Sequence, residues 1–312
     1  MEDSIFKPML AYDSKFGTKF IDPKKMYMIE PKLDGVRALI KINLSDLTFE
    51  IYSRTLKRYK TFETLLQGRL MQLAQQTRDI YEYNKLTTCV FDSEITGNSF
   101  KEVSALGHMK EVPKDFDGSS LTVNIFDCIT PDNADVPLFV RKSIFFNFSS
   151  IPQINFIKDV VFSGEELLDL NKVQSICKSY VEDKGYEGIM LKDLQGKYIK
   201  GKKSKSWLKV KPVKTIDLEI VDYLEGEGKY YKSLGSLLCK SADGYHVSVG
   251  SGLTDSQRKE LYNNFEDYRH SIVEVQYQEK TQDKQGRWSL RFPVFKTIRN
   301  DKDAPDYLRE DD

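Results

Sequence analysis

The sequence has few of the residues that staple or metal-fold a small protein. Its 312 residues include four cysteines, three histidines and two tryptophans. Cys89, Cys128, Cys177 and Cys239 are widely scattered with no C-x-x-C pair, which argues against a disulfide scaffold and for a reducing compartment. So few histidines beside dispersed cysteines argue against a structural zinc site. No run of about 18 apolar residues occurs, so no membrane-spanning helix is expected. The start, Met1-Glu2-Asp3, is acidic where a secretory leader would be basic. A cytoplasmic or nuclear protein without a membrane partner is the expectation. No internal repeat or low-complexity tract is visible. An excess of one charge is also missing: 47 Lys and Arg face 47 Asp and Glu. That balance excludes a uniformly basic nucleic-acid coat.

What the chain does have is apolar content, 40% of residues, enough to bury a full core. At about 150 residues per domain, its length suggests two domains. Positive charge is concentrated locally: nine lysines fall within residues 191–214, against Asp193 alone. Strand-like and helix-like segments alternate up to about residue 211. Tyr27–Glu30, Val36–Asn43, Thr88–Ile95 and Leu121–Asp127 read as strands, and Phe62–Gln76 as a helix. Ser163 and Glu166 form a capping-box pattern expected to open a helix striped by Leu170, Val173, Ile176, Cys177 and Tyr180. Gly185 would end it, and Gly188–Leu191 would follow as a strand. After Pro212 the pattern becomes five strands, Ile216–Leu224, Leu234–Ser241, Tyr245–Ser251, Ile272–Lys280 and Leu290–Ile298. A helix capped by Thr254 and Gln257 falls between the third and fourth. That order is expected of an OB-fold, a small barrel often used to bind nucleic acid. The expected division is an α+β domain over 1–212 and an OB domain over 213–312 ending in an acidic tail.

Glu30-Pro31-Lys32-Leu33-Asp34-Gly35-Val36-Arg37 sits at a strand-to-strand turn. Taken alone it reads first as a charged hairpin, Asp34-Gly35 being an ordinary turn signal. The chemical reading is a lysine nucleophile. A free lysine titrates near roughly 10.4, so neighbouring cations or a metal must ease its deprotonation before it can attack phosphorus.

These residues resemble the nucleotidyl-lysine motif of ATP-dependent DNA ligases and related RNA-capping enzymes. Five further segments resemble that family's later motifs, in order. They are Ser53-Arg54; Phe91-Asp92-Ser93-Glu94 with the aromatic companion Val123-Asn124-Ile125-Phe126-Asp127; Glu187-Gly188-Ile189-Met190-Leu191-Lys192; Trp207-Leu208-Lys209-Val210-Lys211-Pro212; and Leu290 to Phe295 followed by Arg299-Asn300-Asp301-Lys302. The resemblance spans Glu30 to Lys302 and is strongest to short bacteriophage-type ligases. It implies a nucleotidyltransferase (adenylation) domain followed by an OB-fold β-barrel, ATP as substrate, Mg²⁺, and nicked double-stranded DNA as partner. With 31 residues before Lys32, the encircling domain of larger relatives is not expected. A monomer is expected.

The resemblance also implies roles. Lys32 would attack the ATP α-phosphate and hold AMP. Glu30 would accept from the adenine amino group, where guanine presents a carbonyl. Phe126 would stack on adenine, Arg54 and Glu94 would hold the ribose or a nearby phosphate, and Lys192 belongs to the nucleotide-binding set. Arg37 would meet the phosphate of the nicked strand. Lys209 and Lys211 would face the α-phosphate and neutralise charge building there. Glu94 and Glu187 would bind Mg²⁺. Arg299, Asp301 and Lys302 would orient pyrophosphate once the second domain closes. For Phe126 plain core is the alternative, for the exposed charges a solvated surface, and for Asp301 and Lys302 the start of a frayed tail.

Three departures stand out. Ser93 and Val294 occupy places where many relatives have glycine and arginine, and Pro31 removes a backbone donor beside Lys32. None removes a reacting group. An RNA ligase or guanylyltransferase shares the lysine chemistry, and a non-catalytic OB-fold binder shares the second domain.

Overall fold

The computed structural model describes residues 5–14, 18–81, 86–158, 160–283 and 285–309. The acidic start and residues 310–312 of the tail lie outside the described residues. Two compact units make up the chain, Met1–Lys211 and Pro212–Asp312.

Two five-stranded sheets form the first unit. One is built from β1 (Leu10–Asp13), β2 (Met26–Lys32), β8 (Val160–Ser163), β9 (Gly188–Asp193) and β10 (Lys203–Val210), in the order β1-β10-β9-β2-β8. The other holds β3 (Val36–Asn43), β4 (Phe49–Ser53), β5 (Thr88–Thr96), β6 (Thr122–Ile129) and β7 (Ile154–Phe156), in the order β4-β3-β5-β6-β7. Each sheet has its own core. Ala38, Ile40 and Ile42 of β3 alternate onto Phe62, Leu70 and Leu73 of the covering helices, and Ile29 and Leu191 pack on Val173 and Cys177 of helix Leu170–Glu182. A third cluster, Met9, Phe126, Ile129, Tyr198 and Trp207, joins side chains from both sheets. All four cysteines are buried free thiols.

Two glycines of the motifs are there for close approach. A Cβ on Gly35 would collide with the Ile95 carbonyl, and one on Gly188 with the Val210 carbonyl. Gly35 therefore lets the turn after Lys32 lie against β5, and Gly188 draws β9 onto β10. Ser93 is equally fixed, its buried hydroxyl donating to the Ala38 carbonyl at 2.7 Å.

Several elements differ from the sequence reading. The single helix expected over Phe62–Gln76 is two, Lys60–Leu65 and Gln67–Tyr81. Leu66 leaves helical geometry at φ −105° and ψ 8°, and the helix-weakening Gly68 follows. Ser163 and Glu166 do exchange hydrogen bonds, yet only the 3₁₀ turn Glu166–Leu168 follows them. The long helix starts after Asp169, whose carboxylate accepts from the N–H groups of Asn171 and Lys172.

The second unit is a five-stranded antiparallel sheet in the order β13-β12-β11-β14-β17. Its strands are β11 (Lys214–Glu225), β12 (Leu234–Lys240), β13 (His246–Val249), β14 (Ile272–Tyr277) and β17 (Val294–Ile298). Thr254 and Gln257 cap helix Asp255–Asn263 reciprocally, between the third and fourth strands of this sheet. The last two expected strands each break, releasing a separate hairpin, β15 (Glu279–Gln282) with β16 (Trp288–Arg291). Phe292 takes a left-handed φ of 53° and Pro293 has no N–H for the ladder, so β16 cannot run into β17. The tail docks through residue 309 and is not frayed there. Leu308 is fully buried in the OB core, and Asp243 accepts from the N–H groups of Leu308 and Arg309.

Candidate active site

Residues i and i+2 of a strand face the same side, so Glu30 and Lys32 of β2 both line one cleft of about 380 Å³. Arg37, Arg54, Glu94, Phe126, Lys192, Trp207 and Lys209 line it too. Phe126 from one sheet and Trp207 from the other meet edge to face, ring centroids 5.9 Å apart. The cleft therefore lies where the two sheets converge.

At its floor the Glu30 carboxylate is 2% exposed and bound at both oxygens. Lys142 Nζ donates to Oε1 at 2.6 Å, and Lys192 Nζ lies 2.6 Å from Oε2. Burial works to raise the Glu30 pKa, but the two ammonium groups together hold it below the ordinary carboxylate range. Lys192 also sits 4.3 Å from the Phe126 ring centroid and 4.1 Å from that of Trp207. Its burial pulls its pKa down.

Lys32 Nζ donates to Glu187 Oε2, and Lys211 Nζ pairs with Glu187 Oε1 at 2.5 Å, although neither Glu187 nor Lys211 lines the cleft itself. Burial raises the Glu187 pKa, yet the two lysines bring it below the ordinary value. Lys209 Nζ lies 3.7 Å from Asp13. Arg54 is exposed at the rim. Arg37 is less open than the sequence implied. Its Nε and Nη2 grip both oxygens of the fully buried Asp92 at 2.5 and 2.6 Å, and its guanidinium stacks 4.7 Å from the Phe126 centroid. Asp92 accepts a further 2.6 Å hydrogen bond from the Tyr198 hydroxyl.

Glu94 lines the cleft with a carboxylate, the kind of oxygen donor a hard cation takes. Burial pushes its pKa up to about 7, against the pull of Arg37 and Lys32. No group of three or more His, Cys, Asp or Glu that could hold a metal occurs among the described residues, so a divalent ion at Glu94 needs phosphate oxygens to complete its shell. Glu187 fits a metal less well, since both its oxygens carry ammonium groups. The nucleotide-free protein is expected to lose stability as pH rises from about 4.5 through about 7, because folded Glu94 holds a proton that the unfolded chain releases near its ordinary value. Glu94→Gln removes this contribution. Urea midpoints that fall equally between about pH 5 and pH 8 in both proteins would count against it.

Arg299, Asp301 and Lys302 belong to the second unit and form a local ion cluster. Arg299 grips Asp301 with its Nη2 at 2.7 Å, and Lys302 Nζ reaches the buried Asp217 at 2.5 Å. Sequence reasoning missed Lys142, Asp92 as the anchor of Arg37, and Asp217. Nothing in a single sequence marks a lysine on a six-residue helix as a partner of Glu30.

A lysine and a buried carboxylate on one strand, aromatic walls and an OB-like second unit define the nucleotidyltransferase class. Residues 8–211 match the ATP dependent DNA ligase domain and residues 225–299 the DNA ligase OB-like domain. The chain belongs to the ATP-dependent DNA ligase family. It is 25% identical over 327 residues to a DNA ligase of Natronomonas pharaonis, covering 96% of this chain and 57% of that one. It is 38% identical over 203 residues to a DNA ligase of Methanocorpusculum labreanum, covering 58% of this chain and 36% of the other. The chain thus spans between about a third and just over half of the length of the curated relatives it matches. Among solved structures, Pmar-Lig_PreS3 superposes with a TM-score of 0.57 at 29% identity, covering 95% of this chain and 68% of that one. The ATP-dependent DNA ligase of bacteriophage T7 in complex with ATP shares the fold, with a TM-score of 0.54 at 19% identity over 94% of this chain and 98% of that one. No helix among the described residues is long and apolar enough to cross a membrane.

Proposed function

We propose that this chain seals a 3′-hydroxyl to a 5′-phosphate at nicks in duplex DNA, using ATP. The supporting observation is that Lys32 and Glu30 share one face of β2 and line the same cleft, the buried carboxylate held by Lys192 and the amine by Glu187. Adenine stacks on Phe126 and directs its amino group to Glu30, while Arg54 and Lys192 complete the nucleotide site. Once deprotonated, Lys32 Nζ attacks the α-phosphorus. The bond to the bridging oxygen breaks, pyrophosphate leaves, and AMP remains on nitrogen as a phosphoramidate. Glu187 steadies the amine, and Lys209 and Lys211 offset the charge that builds on the phosphate oxygens. Glu94 would hold Mg²⁺, which neutralises phosphate charge when bound. Arg299 and Lys302 are the proposed partners of pyrophosphate. AMP then passes to the 5′-phosphate of the nick, whose strand Arg37 meets, and the 3′-hydroxyl displaces AMP to form the phosphodiester.

Incubation of a labelled nicked duplex with ATP and Mg²⁺ is expected to give sealed product, and with NAD⁺ none. No sealing in the presence of a labelled enzyme adduct would refute DNA as the substrate. DNA contact should be mainly to phosphates, since a nick must be sealed regardless of sequence. Lys200 and Lys202 are exposed just before β10 and do not line the cleft. Reversing both to Glu is expected to weaken nick binding at least about tenfold at ~50 mM salt while adduct formation stays unchanged.

A further inference from the structure

Helix Leu138–Ser143 belongs to none of the motifs, yet it sends two successive cations into the protein. The Arg141 side chain is 0% and the Lys142 side chain 5% exposed. Neighbouring helical residues point about 100° apart, so both are buried only because the helix straddles a seam. Arg141 turns to Asp127 on β6 of one sheet, and Lys142 to Glu30 on β2 of the other. Fully buried Leu138 anchors the helix, and the Phe139 N–H donates to the Leu194 carbonyl at 3.2 Å. Lys142 itself does not line the cleft. Its reach into the site runs through Glu30.

We propose that Lys142 is a positioning residue for purine selection, fixing the Glu30 carboxylate so that its remaining lone pairs face an amino group and exclude the carbonyl of guanine. The proposal rests on the reading of this cleft as the adenine site. An ionised carboxylate has about four acceptor positions. Lys142 takes one on Oε1 and Lys192 one on Oε2, which pins the group at both ends and leaves acceptor capacity on each oxygen. Pinned and ionised, Glu30 offers no hydrogen to a guanine carbonyl. Without Lys142 it keeps one pin, can turn about its last bond, and loses half of the counter-charge that keeps a buried carboxylate ionised. A protonated Glu30 gains an O–H donor and accepts guanine. Lys192 cannot replace the lost lysine, because the Phe126 and Trp207 rings already fix its ammonium.

The test is self-adenylylation or guanylylation of the full chain with α-labelled ATP or GTP and Mg²⁺. Wild type is compared with Lys142→Met, Lys142→Gln, Lys142→Arg and Glu30→Gln. Lys142→Met and Lys142→Gln are expected to raise the KM for ATP about ten- to a hundredfold while the saturated rate stays within about threefold. Both should also raise the GTP-to-ATP ratio of kcat/KM about tenfold, and Lys142→Arg should restore wild-type values. Unchanged KM and ratio in the Met and Gln variants overturn the proposal. So does failure of both to fold by thermal melting, or an equal loss in the Arg variant. Glu30→Gln separates the two levels. If it leaves the purine preference untouched, the adenine-site reading fails; if it shifts the preference while the Lys142 variants do not, only the role of Lys142 fails.

Discussion

Lys32→Ala is expected to abolish the labelled enzyme adduct and reduce ATP-dependent nick sealing by at least about four orders of magnitude. The size follows from the proposed chemistry, in which the amine becomes bonded to phosphorus and alanine offers no nucleophile. Of the other amines, Lys211 is paired with Glu187 at 2.5 Å, and Lys209 Nζ lies 3.7 Å from Asp13. Lys32→Arg should be equally inactive, since a guanidinium stays protonated. Joining of a nick that already carries 5′-AMP no longer needs the amine, so the alanine variant should still seal that substrate. An undiminished adduct in Lys32→Ala would exclude this nucleophile. Loss of sealing on the pre-adenylated nick would show that the substitution damages more than the first step.

How much of this site could be read beforehand depends on how local each relation is. Glu30 and Lys32 are two residues apart, but the expected strand stopped at Glu30, and it is the extension of β2 through Lys32 that puts both on one face. Lys209 follows Trp207 on β10 by the same spacing, and both line the cleft. Relations across the fold were not legible. Lys142 lies 112 residues from Glu30, and Asp92 lies 55 from Arg37, so each pairing depends on how the sheets converge. The same holds for the second unit. Its strand order and the Thr254–Gln257 cap were readable because turns, alternation and caps are local. The hairpin β15–β16 was not, because the left-handed Phe292 that separates it from β17 has no compositional signature. The frayed tail offered as the alternative for Asp301 and Lys302 does not hold through residue 309: Asp301 and Asp303 are exposed, yet buried Leu308 and the hydrogen bonds to Asp243 anchor the segment.

Arg141→Met should destabilise the first unit by about 3–5 kcal/mol. Arg141 Nε and Nη2 bind the two oxygens of Asp127 at 2.9 and 2.8 Å, and its Nη1 donates to the carbonyls of Val136 and Gly196 at 2.5 and 3.1 Å. Both side chains are 0% exposed. Methionine keeps much of the volume but leaves a buried carboxylate with its own Cys128 N–H at 2.9 Å and the more distant charge of Lys192. Burial already pushes the Asp127 pKa above its ordinary value despite Arg141. Removing the guanidinium pushes it higher. A carboxyl with a raised folded pKa contributes stability that is complete below the unfolded value and is lost as pH rises through the folded one. The variant should therefore be worse at about pH 8 than at about pH 5. Adding Asp127→Asn removes the charge and should recover much of the loss, together with its pH dependence. The two tryptophans fall one in each unit, so urea unfolding followed through Trp207 in a Trp288→Phe background reports on the first unit alone. Equal midpoints for wild type and Arg141→Met would refute the pair as a structural anchor. A double variant no better than the single one would show that the carbonyl contacts, and not the buried charge, set the cost.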